Sequence, residues 1–110
     1  MRILTGAGSY TSPTGAAPNS YLEHLSVPDL SVGTYSIPAG GVDDQTPHTE
    51  DEIYVVTAGH ARIVTSDGTA DVGPGDVIFV PAGEEHRFVD VAGDLALLVV
   101  FAPAYKSRAT

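Results

Sequence analysis

The sequence predicts an all-β fold, an antiparallel sandwich or barrel of short strands. Three observations carry this expectation. Twelve glycines and eight prolines are spread along 110 residues, dividing the chain into short segments joined by tight turns. Apolar positions alternate or run in short β-branched and aromatic stretches, with no sustained helical period and no internal repeat. A chain of this length with 43% apolar residues buries one core, not two.

Residues 1–19 are rich in Gly, Ser, Thr, Pro and Ala and read as an arm or loop that packs elsewhere. "SYLEHLSV" at 20–27 is a weak strand, and "LSVGTYSIP" at 30–38 a firmer one, before the turn-rich "AGGVDDQTP". Strands at 52–56 and 60–65 are expected as a hairpin through Gly59. The Asp67-Gly68 pair favours a tight turn that folds 70–72 back on 63–65. "VIFVP" follows the turn "VGPGD". Alternation from His86 puts His86, Phe88 and Asp90 on one face and Arg87, Val89 and Val91 on the other. "LALLVVFA" at 95–102 is apolar on both faces, as where both sides are covered, and "PAYKSRAT" reads as a solvated tail. The count is about eight strands, arranged as one domain over 1–110.

Fourteen acidic against five basic residues give a formal charge of −9, which repels a nucleic-acid backbone and an anionic membrane surface. The acidity serves solubility or reflects a salty cytoplasm. No cysteine is present, so a disulfide framework, a thiolate metal site and a cysteine nucleophile are excluded. The N-terminus has no continuous apolar stretch and the longest apolar run is too short to span a bilayer. A cytoplasmic protein is therefore expected.

The segment "TPHTEDEIYVVTAG" raises the question of chemistry. His48 and Glu52 are four residues apart, and Pro47 before them and "IYVV" after them favour a strand, where even spacing puts both on one face. Pointing inward, they supply an imidazole and a carboxylate.

Two segments, Gly40 to Gly59 and "GDVIFVPAGEEHRFVD" from Gly75 to Asp90, together resemble the paired motifs of the cupin superfamily. Gly40, His48, Glu52 and Gly59 match the first motif, with Thr46 at the position of its first histidine. Gly75, Pro81, Gly83 and His86 match the second, with Asp90 where asparagine is usual. The 15 residues between Gly59 and Gly75 equal the spacing of small single-domain bacterial cupins. The resemblance covers about residues 30–102 and implies an antiparallel jelly-roll barrel, the double-stranded β-helix.

It also implies one divalent metal ion held by His48, Glu52 and His86, its identity open among Fe, Zn, Ni, Mn and Cu. Two imidazoles and a carboxylate leave coordination positions free for a substrate. Gln45, one residue from the vacated histidine position, replaces the fourth ligand if the chain bulges before Pro47. Thr46 is a poor ligand and better suited to hydrogen-bonding a substrate oxygen. The competing reading is a pair of ordinary buried histidines. Tyr54 and Phe88 either wall a pocket or belong to plain core. Asp90 either orients His86 or ends a solvated strand. Glu50 shares the inward parity, as a spare carboxylate near the ion or as rim. His24 is expected partly exposed on an edge strand and His60 on the surface.

The implied function is a metal-binding cupin acting on a small oxygen-rich ligand, dioxygenase-like with iron or copper and isomerase- or lyase-like with zinc, nickel or manganese. A binding or sensing module without turnover is the alternative, and a metal-free barrel is supported only by Thr46. Small cupins pair as homodimers, and the arm at 1–19 suits a crossing to a neighbour.

Overall fold

The computed structural model describes residues 1–107 and contains six strands: β1 Ser20–Val27, β2 Leu30–Ile37, β3 Asp51–Thr65, β4 Gly68–Val72, β5 Val77–Val80 and β6 His86–Ala102. All pairings are antiparallel, in the order β1-β2-β6-β3-β4, with β5 on β3. No helix among the described residues is long and apolar enough to cross a membrane.

The strand count falls to six because one expected hairpin, and two further segments expected as separate strands, are each a continuous strand. Residues 52–56 and 60–65 both belong to β3, and 86–91 and 95–102 both belong to β6. Gly59 does have a positive φ, 78°, as does Gly93, 68°. These angles bend the two paired strands together, with register shifts at Val56–Ala58, Ala58–His60 and His60–Arg62. A Cβ at Gly59 would lie 2.6 Å from the Asp94 carbonyl oxygen, so only glycine allows the backbones this close. Each long strand thus contributes to both halves of the barrel, and the inner faces meet. Tyr54 from one half packs edge-on against Phe88 from the other, centroids 5.0 Å apart.

Alternation in the first half sends Glu52, Tyr54, Val56, Leu97, Val99 and Phe101 inward, and all are buried. The β3–β4 hairpin forms as expected, with Thr65 opposite Gly68 and Ile63 opposite Ala70.

On the outer face, Phe79, Ile53, Val100, Val32 and Leu25 lie side by side across five strands. Phe79 is 59% and Val77 64% exposed. The arm covers the adjoining part of this face on its own chain. Gly8 N donates to Thr34 Oγ1 (2.7 Å), the Thr57 hydroxyl donates to the Gly8 carbonyl, and Thr11 N donates to Ser36 Oγ (3.0 Å).

The expected solvated tail is corrected at Ala104 and Tyr105, while Lys106 and Ser107 are exposed. Ala104 is buried, Tyr105 stacks on Phe101 with centroids 4.6 Å apart, and Tyr105 N donates to Ser31 Oγ (2.9 Å). Residues 108–110 of that expectation lie outside the described residues.

Candidate metal centre

Glu52 stands at the start of β3, His86 at the start of β6, and the bend brings these ends together. His48 is not on the strand with Glu52, as the spacing suggested; it lies in the loop before β3. The turn of the second motif holds that loop. Gly83 N, at a φ of 80°, donates to the His48 carbonyl (2.7 Å), and Ala82 N donates to Asp51 Oδ1 (2.9 Å). The Pro81-x-Gly83 element therefore serves the position of His48 as much as that of His86. One ligand atom from each of His48, Glu52 and His86 lies within 4.8 Å of the others.

The lone pairs at this point outnumber the protons available to them. His86 Nδ1 is 2.9 Å from the Glu84 carbonyl and donates to it, which turns the lone pair of neutral Nε2 inward. That Nε2 is 3.2 Å from Glu52 Oε1, yet Glu52 Oε1, on a residue 2% exposed, has no hydrogen-bond partner. The contact is close enough for an ion pair without the angle of a hydrogen bond. Tyr54 OH lies 3.0 Å from both His86 Nε2 and Gln45 Oε1 and has one proton for the two. His48 Nε2 is 3.0 Å from the same Gln45 oxygen. A buried carboxylate oxygen facing an imidazole lone pair is costly unless a cation, whether a proton or a metal ion, is shared between them. The residues present therefore fit a divalent ion.

Protonation follows the same field. Burial lowers the affinity of His86 for a proton, but Glu52, the Glu84 carbonyl and the charge of Asp43 together outweigh it and raise its pKa. At His48 burial prevails over the nearby Glu52 carboxylate, and its pKa falls. Burial, followed by the Glu52 charge, raises the Tyr54 phenol well above its ordinary range, so it stays a donor.

Beside the donors is a cavity of about 170 Å³, walled by Tyr21, Tyr35, Tyr54, Val99, Phe101 and Tyr105. No lysine or arginine lines it.

Of the expected pocket residues, Tyr54 lines the cavity. Phe88 is buried behind Tyr54 as core. Thr46 is exposed, in an outer depression that Gln45 and His86 also line. Asp90 faces solvent and is 3.8 Å from Arg62, so it orients neither His86 nor a ligand. Its parity is reversed by a bulge. Between the pairs Arg62–Val89 and His60–Ala92, β6 has one residue more than β3, and Asp90 takes a φ of 53° there. Val91 turns inward in its place and is buried. Asp and Asn tolerate this left-handed region best among residues with a side chain.

Gln45 reaches the site. Glu50 is buried and accepts from the Thr49 hydroxyl, outside the group of three. His60 is exposed; His24, at the β1 bulge, is half-buried with Nε2 2.6 Å from Thr34 Oγ1.

Sequence reasoning missed Tyr35, Asp43 and the aromatic wall. Alternation through "LLVVF" at 97–101 gives Val99 and Phe101 the facing of Leu97, a signal that was present. Asp43 sits in an aperiodic turn and Tyr105 beyond the last strand, where no pattern marks them.

A family model described as "Cupin domain" matches residues 33–101, more than half of the chain. The chain belongs to the cupin family. An uncharacterized protein of Streptomyces coelicolor is 44% identical over 84 residues, covering 76% of this cupin and 80% of the relative. Among solved structures it is similar to KdgF from Halomonas sp., with a TM-score of 0.72 and 22% identity over 82% of this chain and 84% of that one. The DMSP lyase DddQ from Ruegeria pomeroyi gives a TM-score of 0.70 and 23% identity, covering 76% of this chain and 46% of that one. At such identities the likeness shows the fold, an all-β cupin barrel.

Proposed function

We propose that this cupin binds one divalent metal ion through His48, Glu52 and His86, with Gln45 as a fourth donor, and acts as an enzyme on a small substrate that chelates the ion through oxygen atoms. The observation that carries the reading is Glu52 Oε1, buried without a hydrogen bond 3.2 Å from the inward-facing Nε2 of His86. When bound, the ion would supply Lewis-acid or redox chemistry: dioxygenation with iron or copper, isomerisation or elimination with zinc, nickel or manganese. The fold shared with a DMSP lyase is a precedent for elimination.

The chain's own residues supply the rest. The aromatic wall excludes water and sets the ligand size below that of drug-like molecules, whose pockets are commonly about 300–1,000 Å³. The Tyr54 hydroxyl donates to a substrate oxygen beside His86. Glu52 fixes one edge of the site, and the formal charge of −9 favours a small molecule over nucleic acid or an anionic membrane. The protein is read as cytoplasmic and homodimeric.

The test is metal analysis of purified wild type and His86→Ala, followed by oxygen uptake and product analysis with diketones and phenols. Wild type is expected to carry close to one equivalent, and the variant less than about a tenth of that occupancy, the loss expected for an essential ligand. Equal metal in both folded proteins removes the proposal. A ligand that raises the melting temperature and is recovered unchanged favours a binding module, the second reading, which the absence of an imidazole at Thr46 supports.

A further inference from the structure

Gln45 lies in a loop without strand pairing, and a glutamine there has no intrinsic reason to face the barrel interior. Asp43 supplies one. Its carboxylate, 2% exposed, is the meeting point of two strands and the loop. Oδ1 accepts from Tyr35 OH on β2 (2.7 Å) and Gln45 N (3.3 Å); Oδ2 accepts from Phe88 N on β6 (2.9 Å) and Gln45 Nε2 (2.8 Å). Tyr35 and Phe88 hold Asp43 in place, and Asp43 holds the glutamine amide.

The consequence is chemical. Backbone N–H and the amide nitrogen can only donate, so Asp43 must accept, and the nitrogen end of the Gln45 amide must face it. The planar amide then turns Oε1 the other way, to 3.0 Å from both His48 Nε2 and Tyr54 OH. A flipped amide would set oxygen against carboxylate and direct an NH₂ group at the site.

Resting on the reading of this site as a metal centre, we propose that Asp43 is a positioning residue: it orients Gln45 so that a neutral oxygen, rather than nitrogen, completes the donor set beside His48, Glu52 and His86. Replacing an imidazole with an amide oxygen biases the centre toward ions that favour oxygen, such as Mn²⁺, relative to Zn²⁺.

The test uses the full chain with Mn²⁺ and Zn²⁺ alone as probes, titrated into wild type, Gln45→Ala, Gln45→His, Asp43→Asn, Asp43→Ala and the double variant Asp43→Ala/Gln45→Ala. Gln45→His is expected to shift the preference toward Zn²⁺ by tenfold or more. Asp43→Ala is expected to weaken Mn²⁺ binding at least fivefold, with partial recovery in Asp43→Asn, which keeps one accepting oxygen. In the Gln45→Ala background the Asp43 substitution should cause no further loss. An equal loss in both backgrounds, or Mn²⁺ affinity unchanged in Gln45→Ala, overturns the proposal.

Hydrogen exchange of the Gln45 side-chain amide in metal-free, ¹⁵N-labelled wild type needs no variant to fold. A slowed amide proton supports the orientation; exchange at the rate of a free amide overturns it. Wild type that binds neither ion removes the metal reading and the donor role with it, whereas wild type that binds while Gln45→Ala binds equally removes this inference alone.

Discussion

Asp90 is the residue at which alternation fails, and its backbone explains the failure. A positive φ of 53° costs a side chain roughly 1 kcal/mol, least for Asp or Asn, and a β-branched residue most. Asp90→Gly is therefore expected to hold or gain a few tenths of a kcal/mol, and Asp90→Val to lose about 1–2 kcal/mol, read from urea midpoints. Equal midpoints for the two would contradict the strain. At this scale motif spacing marks His48, Glu52 and His86, whereas Gln45 is reached only as the neighbour of the vacated histidine position at Thr46. The sequence concealed Asp43, since a carboxylate in a turn reads as surface charge until tertiary structure brings Tyr35 and the Phe88 amide to it. Asp90 was misplaced because a bulge adds one residue and reverses every later facing.

For the elements, the signals were strong where alternation or turn chemistry was local. β1, β2, β4 and β5 and the Asp67-Gly68 turn were legible. The continuity of β3 and β6 was not, because a glycine that closes a hairpin and one that lets two paired strands bend together look alike in sequence. The structure separates them by what a side chain would meet. Gly59→Ala would place a methyl group 2.6 Å from the Asp94 carbonyl oxygen at a φ of 78°, so a loss of about 2–4 kcal/mol is expected, visible as a lower urea midpoint. Gly68→Ala has nothing within 4 Å of its Cβ and should lose less. Similar losses would mean that the contact at the bend is not what requires glycine.

Across the whole molecule, four tyrosines around the interior share one property. Burial, reinforced by neighbouring carboxylates, raises the phenols of Tyr21, Tyr35, Tyr54 and Tyr105. A group whose folded pKa lies above its unfolded value, about 10 for tyrosine, contributes stability that is fully present below that pH. The contribution is lost as pH rises, because the unfolded chain releases protons that the folded chain retains. Urea midpoints are expected to fall steeply from about pH 10 upward, and less steeply in Tyr35→Phe, although that variant starts lower for want of a donor to Asp43. A flat profile to pH 11 would refute the assignment.

The outer face of the sheet is covered by the arm on one side only. Its open half carries Phe79, Ile53 and Val100, with Asp51 at its edge, in a chain of net −9, and so offers a second copy an apolar surface. The arm already lies on its own chain, so a dimer would form through this half. Light scattering after size exclusion is expected to show a dimer in wild type and a shift to monomer in Phe79→Glu; a monomeric wild type removes the dimer.

Because β3 and β6 run unbroken through both halves, the donors are divided by chain position, not by layer. Cleaving the peptide bond between Ser66 and Asp67 would leave His48 and Glu52 on one fragment and His86 on the other. An ion held at the proposed centre would then bridge the two fragments, adding to the β3–β6 pairing that already joins them.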